Sequence, residues 1–473
     1  MEKSYKPYEI QSTESPYKMS ADSLTLNKMM VPFSTKTQTI DVSIDPVGGN
    51  GTYTETINTV RFDLLPYGNI INTSDIYFEA DLAVLATASK ILSFDGSTQS
   101  IVKEYRLIIN GETYKFENIA LINEIISDYK IDYGYKNMLS QEHEKFSTIL
   151  TVQTDGSGTY PHGEQTYTMA ASPVKVTSHI SFNPLLPFLT NGRFSIPLYG
   201  LKKFQLEIVL NPAKNFFVEV KDVTTALTAT YELTNAKLNV SYIKLMEGEE
   251  EYISGIPGNI MMTPYVQWLT RDTLLKDATA KQVVLPNSIS SCRFIVASIR
   301  VNEYLSSTLG RHYTRRMLNG VTEMYITNNG LEYPTNHLRL DNSNGGKINK
   351  LLMNNIKSFS KLNLYSSEKQ PRLNTILCPA TNSDDVDGTT DGWMEMHVDF
   401  LIDTEMINEN GNRLTGSDFS TGNAILFVKG TFLCNSIIDV YAISDAMVSF
   451  EQDGNGIDIK INNSWNRKLL LNE

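Results

Sequence analysis

Apolar and polar residues alternate along most of this chain in short runs. Thr39-Ile-Asp-Val-Ser-Ile44 puts Ile40, Val42 and Ile44 on one side and Asp41 and Ser43 on the other. Ala236-Lys-Leu-Asn-Val-Ser-Tyr242 repeats the pattern, with Lys237, Asn239 and Ser241 on the polar side. A period of two is that of a half-buried strand. The same reasoning predicts strands over residues 60–65, 76–84, 194–198, 204–210, 283–286, 291–301, 394–401, 424–433, 437–443 and 446–450. Apolar spacing over 119–126 suits a short helix, and 304–317 has mixed, partly helical spacing. Glycine-rich and polar stretches at 47–51, 155–163 and 382–392 predict a turn and two long loops. Strands do not alternate with long helices, so a sandwich is expected and a doubly wound parallel sheet is not.

A segment of the first half returns in the second. Val102-Lys-Glu104-Tyr-Arg-Leu-Ile-Ile-Asn110-Gly111-Glu-Thr-Tyr114 is echoed by Val321-Thr-Glu323-Met-Tyr-Ile-Thr-Asn-Asn329-Gly330-Leu-Glu-Tyr333. Val, Glu, Asn-Gly and Tyr recur at one constant offset. Leu121 with Leu340, and Asn123 with Asn342, extend it. Each copy is a β-like run, an Asn-Gly turn and an aromatic strand start, so two copies of one fold are expected. An acidic run, Met246-Glu-Gly-Glu-Glu-Glu251, followed by Gly255-Ile-Pro-Gly258, reads as the linker between them. The predicted organisation is an N-terminal arm (1–35), a first jelly roll (36–246), a linker (247–262), a second jelly roll (263–455) and a C-terminal tail (456–473). Each half has the strand count and long loops of an eight-stranded jelly roll. The fold class is all-β, with few short helices.

Composition narrows the function. With 473 residues, 41% hydrophobic and 20% charged, the chain can bury large cores. A net charge of −12 argues against a surface that coats nucleic acid. The N-terminal segment has no apolar core of a secretory signal, no Met-Gly start, and no apolar run reaches the length of a bilayer span. Cys292, Cys378 and Cys434 lack metal-ligand spacing and cannot all pair, so they are expected as buried or free thiols in a reducing compartment.

Catalytic and cofactor signatures are missing. The chain has no phosphate-binding P-loop, no dinucleotide-binding glycine pattern and no HExxH, GxSxG or CxxC. His143, His162, His179, His312, His337 and His397 are scattered, so no local metal cluster forms in the sequence. Asp384-Asp-Val-Asp387-Gly-Thr-Thr-Asp391 resembles a calcium loop but has Ser383 and Met394 where terminal ligands belong. It is expected to be an exposed acidic loop. Arg311-His-Tyr-Thr-Arg315-Arg316 is the densest basic cluster and is expected on a solvated or intersubunit face. Trp268, Trp393 and Trp465 are expected to serve packing. No catalytic, cofactor-binding or metal residues are assigned, and no cofactor is expected.

This layout resembles the double jelly-roll major capsid proteins, and among them the virophage, Polinton-like and adintovirus members. The segments that carry the resemblance are Phe194-Ser-Ile-Pro-Leu-Tyr-Gly-Leu, Phe204-Gln-Leu-Glu-Ile-Val-Leu-Asn and Tyr325-Ile-Thr-Asn-Asn-Gly-Leu-Glu-Tyr-Pro334. It covers about residues 35–455. The resemblance implies a homotrimer whose six sandwiches form a pseudo-hexagonal capsomer of an icosahedral shell. It implies loops 155–163 and 382–392 projecting outward. The arm and the tail near Trp465-Asn-Arg-Lys468 would face inward or bridge neighbours. Implied partners are further copies of the chain, minor capsid, penton or cement proteins and an internal membrane, without sequence-specific nucleic-acid binding. The implied location is the virion, assembled inside a host cell. Four rivals stand beside it: a capsid-assembly scaffold of the same fold, a carbohydrate-binding or adhesive β-sandwich, a jelly-roll hydrolase or lyase, and a single jelly-roll capsid protein with large insertions. The adhesive protein predicts a secretion signal. The enzyme predicts paired carboxylates and aromatics in one groove.

Overall fold

In a computed structural model of the chain, the described residues lie within 37–130, 167–184, 195–245, 258–302, 316–340, 351–358 and 399–462, with short breaks inside these ranges. The first half contains β1 (Thr37–Ile44), β2 (Thr59–Asp63), β3 (Ile70–Ala86), β4 (Ile91–Phe94), β5 (Val102–Ile109) and β6 (Glu112–Glu117). After α1 (Ile119–Lys130) come β7 (Tyr167–Thr168), β8 (Val174–Phe182), β9 (Ser195–Pro197), β10 (Phe204–Leu210), β11 (Phe217–Glu219) and β12 (Thr230–Leu245). The second half contains β13 (Gly258–Leu274), β14 (Ala280–Val284), β15 (Cys292–Val301), β16 (Val321–Asn328), β17 (Leu331–Arg339) and β18 (Phe400–Asp403). It closes with β19 (Glu405–Ile407), β20 (Leu414–Gly416), β21 (Ile425–Gly430), β22 (Ser436–Asp453) and β23 (Gly456–Asn462).

The two halves have one topology. In the first, antiparallel sheets run β1-β12-β3-β8 and β2-β10-β5-β6. In the second they run β13-β22-β15-β18 and β14-β21-β16-β17. Strand for strand, the order is the same. Successive strands cross between the two sheets, except at the β5–β6 and β16–β17 hairpins. Eight principal strands wound this way make a jelly roll, and the chain carries two.

Each roll is built on alternation. Phe62, Phe78, Phe182 and Tyr242 point inward in the first core, where Phe78 meets Phe62 at 6.1 Å and Phe182 at 5.1 Å between ring centres. Phe294, Ile402, Leu426 and Val440 belong to the second core.

The rolls interlock. From the first half, Leu121, Ile122, Ile125, Ile126 and Tyr129 of α1 belong to the second core. From the second half, Tyr265, Ala446, Val448, Phe450 and Ile459 belong to the first. The β5–β6 hairpin meets this second group directly. Phe116 packs edge-on to Tyr265 at 5.7 Å. Asn110 Nδ2 donates to Asp458 Oδ1 at 2.9 Å, and the Ile461 amide donates to Tyr114 Oη at 3.1 Å.

Three sequence expectations change. Residues 456–462, expected to begin a tail, form β23 on β22, because Ile457, Ile459 and Ile461 alternate there. Residues 258–262, expected in the linker, already belong to β13 and pair with the far end of β22. The two strands expected at 437–443 and 446–450 are one, β22. Asp445, in the gap between those two ranges, accepts from Ser291 Oγ at 2.7 Å and pairs with Arg293 at 2.7 Å, so its charge does not end the strand.

Candidate assembly surfaces

The echoed segments are equivalent hairpins. The first is β5–β6, third and fourth in its sheet, and the second is β16–β17, in the same places. Both turns need two residues of positive φ, and Asn-Gly supplies them: Asn110 and Gly111 at 49° and 101°, Asn329 and Gly330 at 51° and 79°. Both asparagines also touch the segment entering the next strand of the sheet. Asn110 Oδ1 accepts from the amides of Lys202 and Lys203 at 2.9 and 3.3 Å, just before β10. The Asn329 side chain lies against Gly422, just before β21, so closely that a Cβ there would sit 1.8 Å from its Oδ1. Around Gly111 and Gly330 themselves the space is open. Gly330→Ala therefore carries only the backbone cost of positive φ, about 1 kcal/mol, and should lower the urea midpoint without changing its slope.

The outward faces of these hairpin sheets differ between the rolls. In the first, Glu104, Arg106, Arg61 and Glu207 form an ionic ladder across β5, β2 and β10. Arg61 Nε donates to Glu207 Oε1 at 2.7 Å, and Arg106 pairs with both carboxylates. In the second, Glu323 takes the place of Glu104, and Tyr325 that of Arg106. Tyr325 stacks between His337 at 3.9 Å and Phe427 at 5.0 Å, both at 5° between ring planes. Glu323 accepts from His337 Nδ1 at 2.6 Å, and Glu332 lies 2.9 Å from Nε2. The hydrogen bond from His337, with help from Lys429, holds the Glu323 carboxyl below the usual glutamate range.

The sheet β13-β22-β15-β18 is buried on both sides. Its inner face meets the second core. Across its outer face lies α1, which starts at β22 and ends beside β18. Tyr441 Oη donates to the Asn118 carbonyl at 3.0 Å at one end. At the other, Asn355 Nδ2 donates to Tyr129 Oη at 3.0 Å and to the Asp399 carbonyl at 2.7 Å. Beneath the helix start, Asp439 pairs with Arg271 at 2.8 Å and with Arg300, and accepts from Trp268 Nε1 at 3.2 Å. Burial alone would raise the Asp439 carboxyl, but the two guanidinium groups outweigh it and hold it below the usual aspartate range.

The candidate chemical residues fall in structural roles. Trp268 packs against the second core, as expected. Arg316, the end of the basic cluster, was expected on a solvated or intersubunit face. It is instead buried, with Nε 3.1 Å from Asp399 Oδ2, since a fully buried cation requires a carboxylate partner. The rest of that cluster lies outside the described residues. Cys292 and Cys434 are buried. Burial pushes the Cys292 thiol up to about 12, which leaves no thiolate for nucleophilic work near neutral pH. Among the described residues, no three His, Cys, Asp or Glu side chains gather as a metal site, and no helix is long and apolar enough to cross a membrane. His179 lies with Asp81 and Glu79, and His337 with its two glutamates. Cys378, Trp393, Trp465, His143, His162, His312, His397 and the loops 155–163 and 382–392 lie outside the described residues. Both loops fall, by chain order, in the same connection, between the fifth and sixth principal strands of each roll. The residues with most structural consequence here, Asp439, Arg300 and Tyr129, carried no motif. Their only sequence signal was a charged or polar residue inside a strongly apolar run.

No protein-family model matches the chain, and no curated protein matches it. Solved structures do. The mavirus major capsid protein matches at 13% identity over 99% of each chain, with a TM-score of 0.52. A structure of the Sputnik virophage matches at 14% identity over 93% of this chain and 91% of that one, with a TM-score of 0.54. A quasi-atomic model of the PBCV-1 virus capsid matches at 13% identity, 90% and 97% coverage and a TM-score of 0.53. The two tandem jelly rolls of this chain are thus the fold of double jelly-roll viral capsid proteins, matched over nearly the full length.

Proposed function

We propose that the chain is the major capsid protein of an icosahedral virus, and that three copies form a pseudo-hexagonal capsomer. The observation that carries this is the pair of rolls with identical strand order, locked side by side by α1 and β23. Two similar units per chain make six per trimer, and closed cyclic symmetry satisfies every equivalent contact. The full-length likeness to capsid proteins supports the same reading. Function then comes from shape and buried interface, not from a reactive residue. In this reading the arm spans 1–35, the rolls 36–246 and 263–455, the linker 247–262 and the tail 456–473, with β13 starting inside the linker range and β23 inside the tail range. The loops 155–163 and 382–392 would project outward, and arm and tail would face inward or bridge capsomers. Minor capsid or cement proteins and an internal membrane would be the further partners. Assembly in a reducing host compartment suits the buried thiols Cys292 and Cys434.

Light scattering of purified protein should give about 159 kDa, three copies of a 53.1 kDa chain. Negative-stain images should show hexagonal capsomers or closed shells. A stable monomer at micromolar concentration would overturn the reading.

A further inference from the structure

The contact that joins the two rolls inside one chain has a partly exposed counterpart in each roll among the described residues. The helix after β6 of roll one, α1, covers the outer face of roll two's sheet β13-β22-β15-β18. Roll two has a helical segment at the same place, residues 353–358, after β17. Its Met353 is 64% exposed, and Lys357, one turn on, is exposed beside it. Roll one has the same sheet, β1-β12-β3-β8, and on its outer face Tyr77 is 42% exposed. Among the described residues, no helix crosses this face.

The registers superpose the two faces. β1 ends with Ile44 opposite Leu238, and β13 ends with Leu274 opposite Ser436. Three residues back, Asp41 faces Ser241 where Arg271 faces Asp439. Ser241 Oγ donates to Asp41 Oδ1 at 2.5 Å, so a hydrogen-bonded pair occupies the place of the covered ion pair. The charges are exchanged as well. α1 carries Glu124 and lies over the arginine-bearing sheet of Arg271 and Arg300. The roll-two helix 353–358 carries Lys357 and no carboxylate. The open face of roll one carries Asp41, Glu79 and Asp81, with His179 beside them.

We infer that the helix at 353–358 of one copy docks on the outer face of β1-β12-β3-β8 of a second copy, repeating between chains the α1 contact made within each chain. The contact is head-to-tail, with a basic, methionine-bearing helix on an acidic sheet. A heterologous contact of this kind closes into a ring when its rotation permits, and with two rolls per chain a ring of three has six equivalent helix-on-sheet contacts. This rests on the trimer reading above and names the surfaces that make it.

Charge reversal tests it. Met353→Glu with Lys357→Glu alters the helix side, and Glu79→Lys with Asp81→Lys alters the sheet side. Sedimentation at micromolar concentration should show each double variant shifted from trimer to monomer. The chain carrying all four changes should regain the trimer, which also demonstrates that the altered chains fold. Hydrogen exchange on the wild-type chain gives a second readout. Peptides spanning 77–81 and 353–358 should gain at least tenfold protection on assembly. Trimers that persist through both double variants, or a lack of protection in these peptides, would overturn the inference, assign the face to a different occupant and leave the capsomer reading standing. A wild-type chain that never leaves the monomer would instead overturn the capsomer reading.

Discussion

Asp439→Ala is expected to destabilise the second roll by about 3–5 kcal/mol, the cost of leaving a buried charge without its partner. Asp439 is 0% exposed and Arg300 1%, so the guanidinium left behind has no water to turn to. Thermal unfolding followed by circular dichroism should show the loss as a lowered Tm. Replacing Asp439, Arg271 and Arg300 together by apolar residues of similar size should cost far less than Asp439→Ala alone, because no orphaned charge remains. The same network sets an acid limit. The folded carboxyl of Asp439 is held below its ordinary value of 3.8, so its contribution is complete above that pH. It is lost as the pH falls below 3.8 toward the folded value, because the unfolded chain takes up the proton first. A Tm that stayed flat from pH 6 to pH 3 in the wild type, or fell as steeply in the variant, would contradict this.

Ile125→Ala is expected to cost about 2–5 kcal/mol, the range for truncating a fully buried aliphatic side chain. Its consequence should appear in the wrong half by chain order. Ile125 follows β6 of roll one, yet its side chain belongs to the core of roll two. Hydrogen exchange should therefore speed up in β15 and β22 peptides more than in β2 or β10 peptides. Faster exchange confined to roll one would show that α1 does not hold the rolls together.

Much of the fold was legible because alternation is a local signal. Thr39-Ile-Asp-Val-Ser-Ile44 became β1 and Phe204-Gln-Leu-Glu-Ile-Val-Leu210 became β10 with little change. The Asn-Gly turns were legible for the same reason, since two successive residues of positive φ demand those side chains. The helix at 119–126 was predicted too short, and runs on to Lys130. Its last turn is anchored by Tyr129, whose partner Asn355 is distant in sequence. The candidate site was far less legible. Arg316 looked like surface charge because nothing near it in sequence announces Asp399. The break expected near Asp445 vanished because Ser291 and Arg293, from another strand, satisfy its carboxylate.

By itself, then, the chain specified two all-β halves, their strands, their matching hairpins and the absence of local catalytic motifs. These depend on residue period and turn chemistry, which act over a few neighbouring positions. Which sheet face each half exposes, and which charges end up buried, was decided only in the tertiary structure. There α1 leaves its own roll to cover Tyr441 and the Asp439 network, and β23 returns to cover the β5–β6 hairpin. Apolar burial is non-directional and works between any surfaces brought together, so no local pattern in α1 could say whose core it would complete.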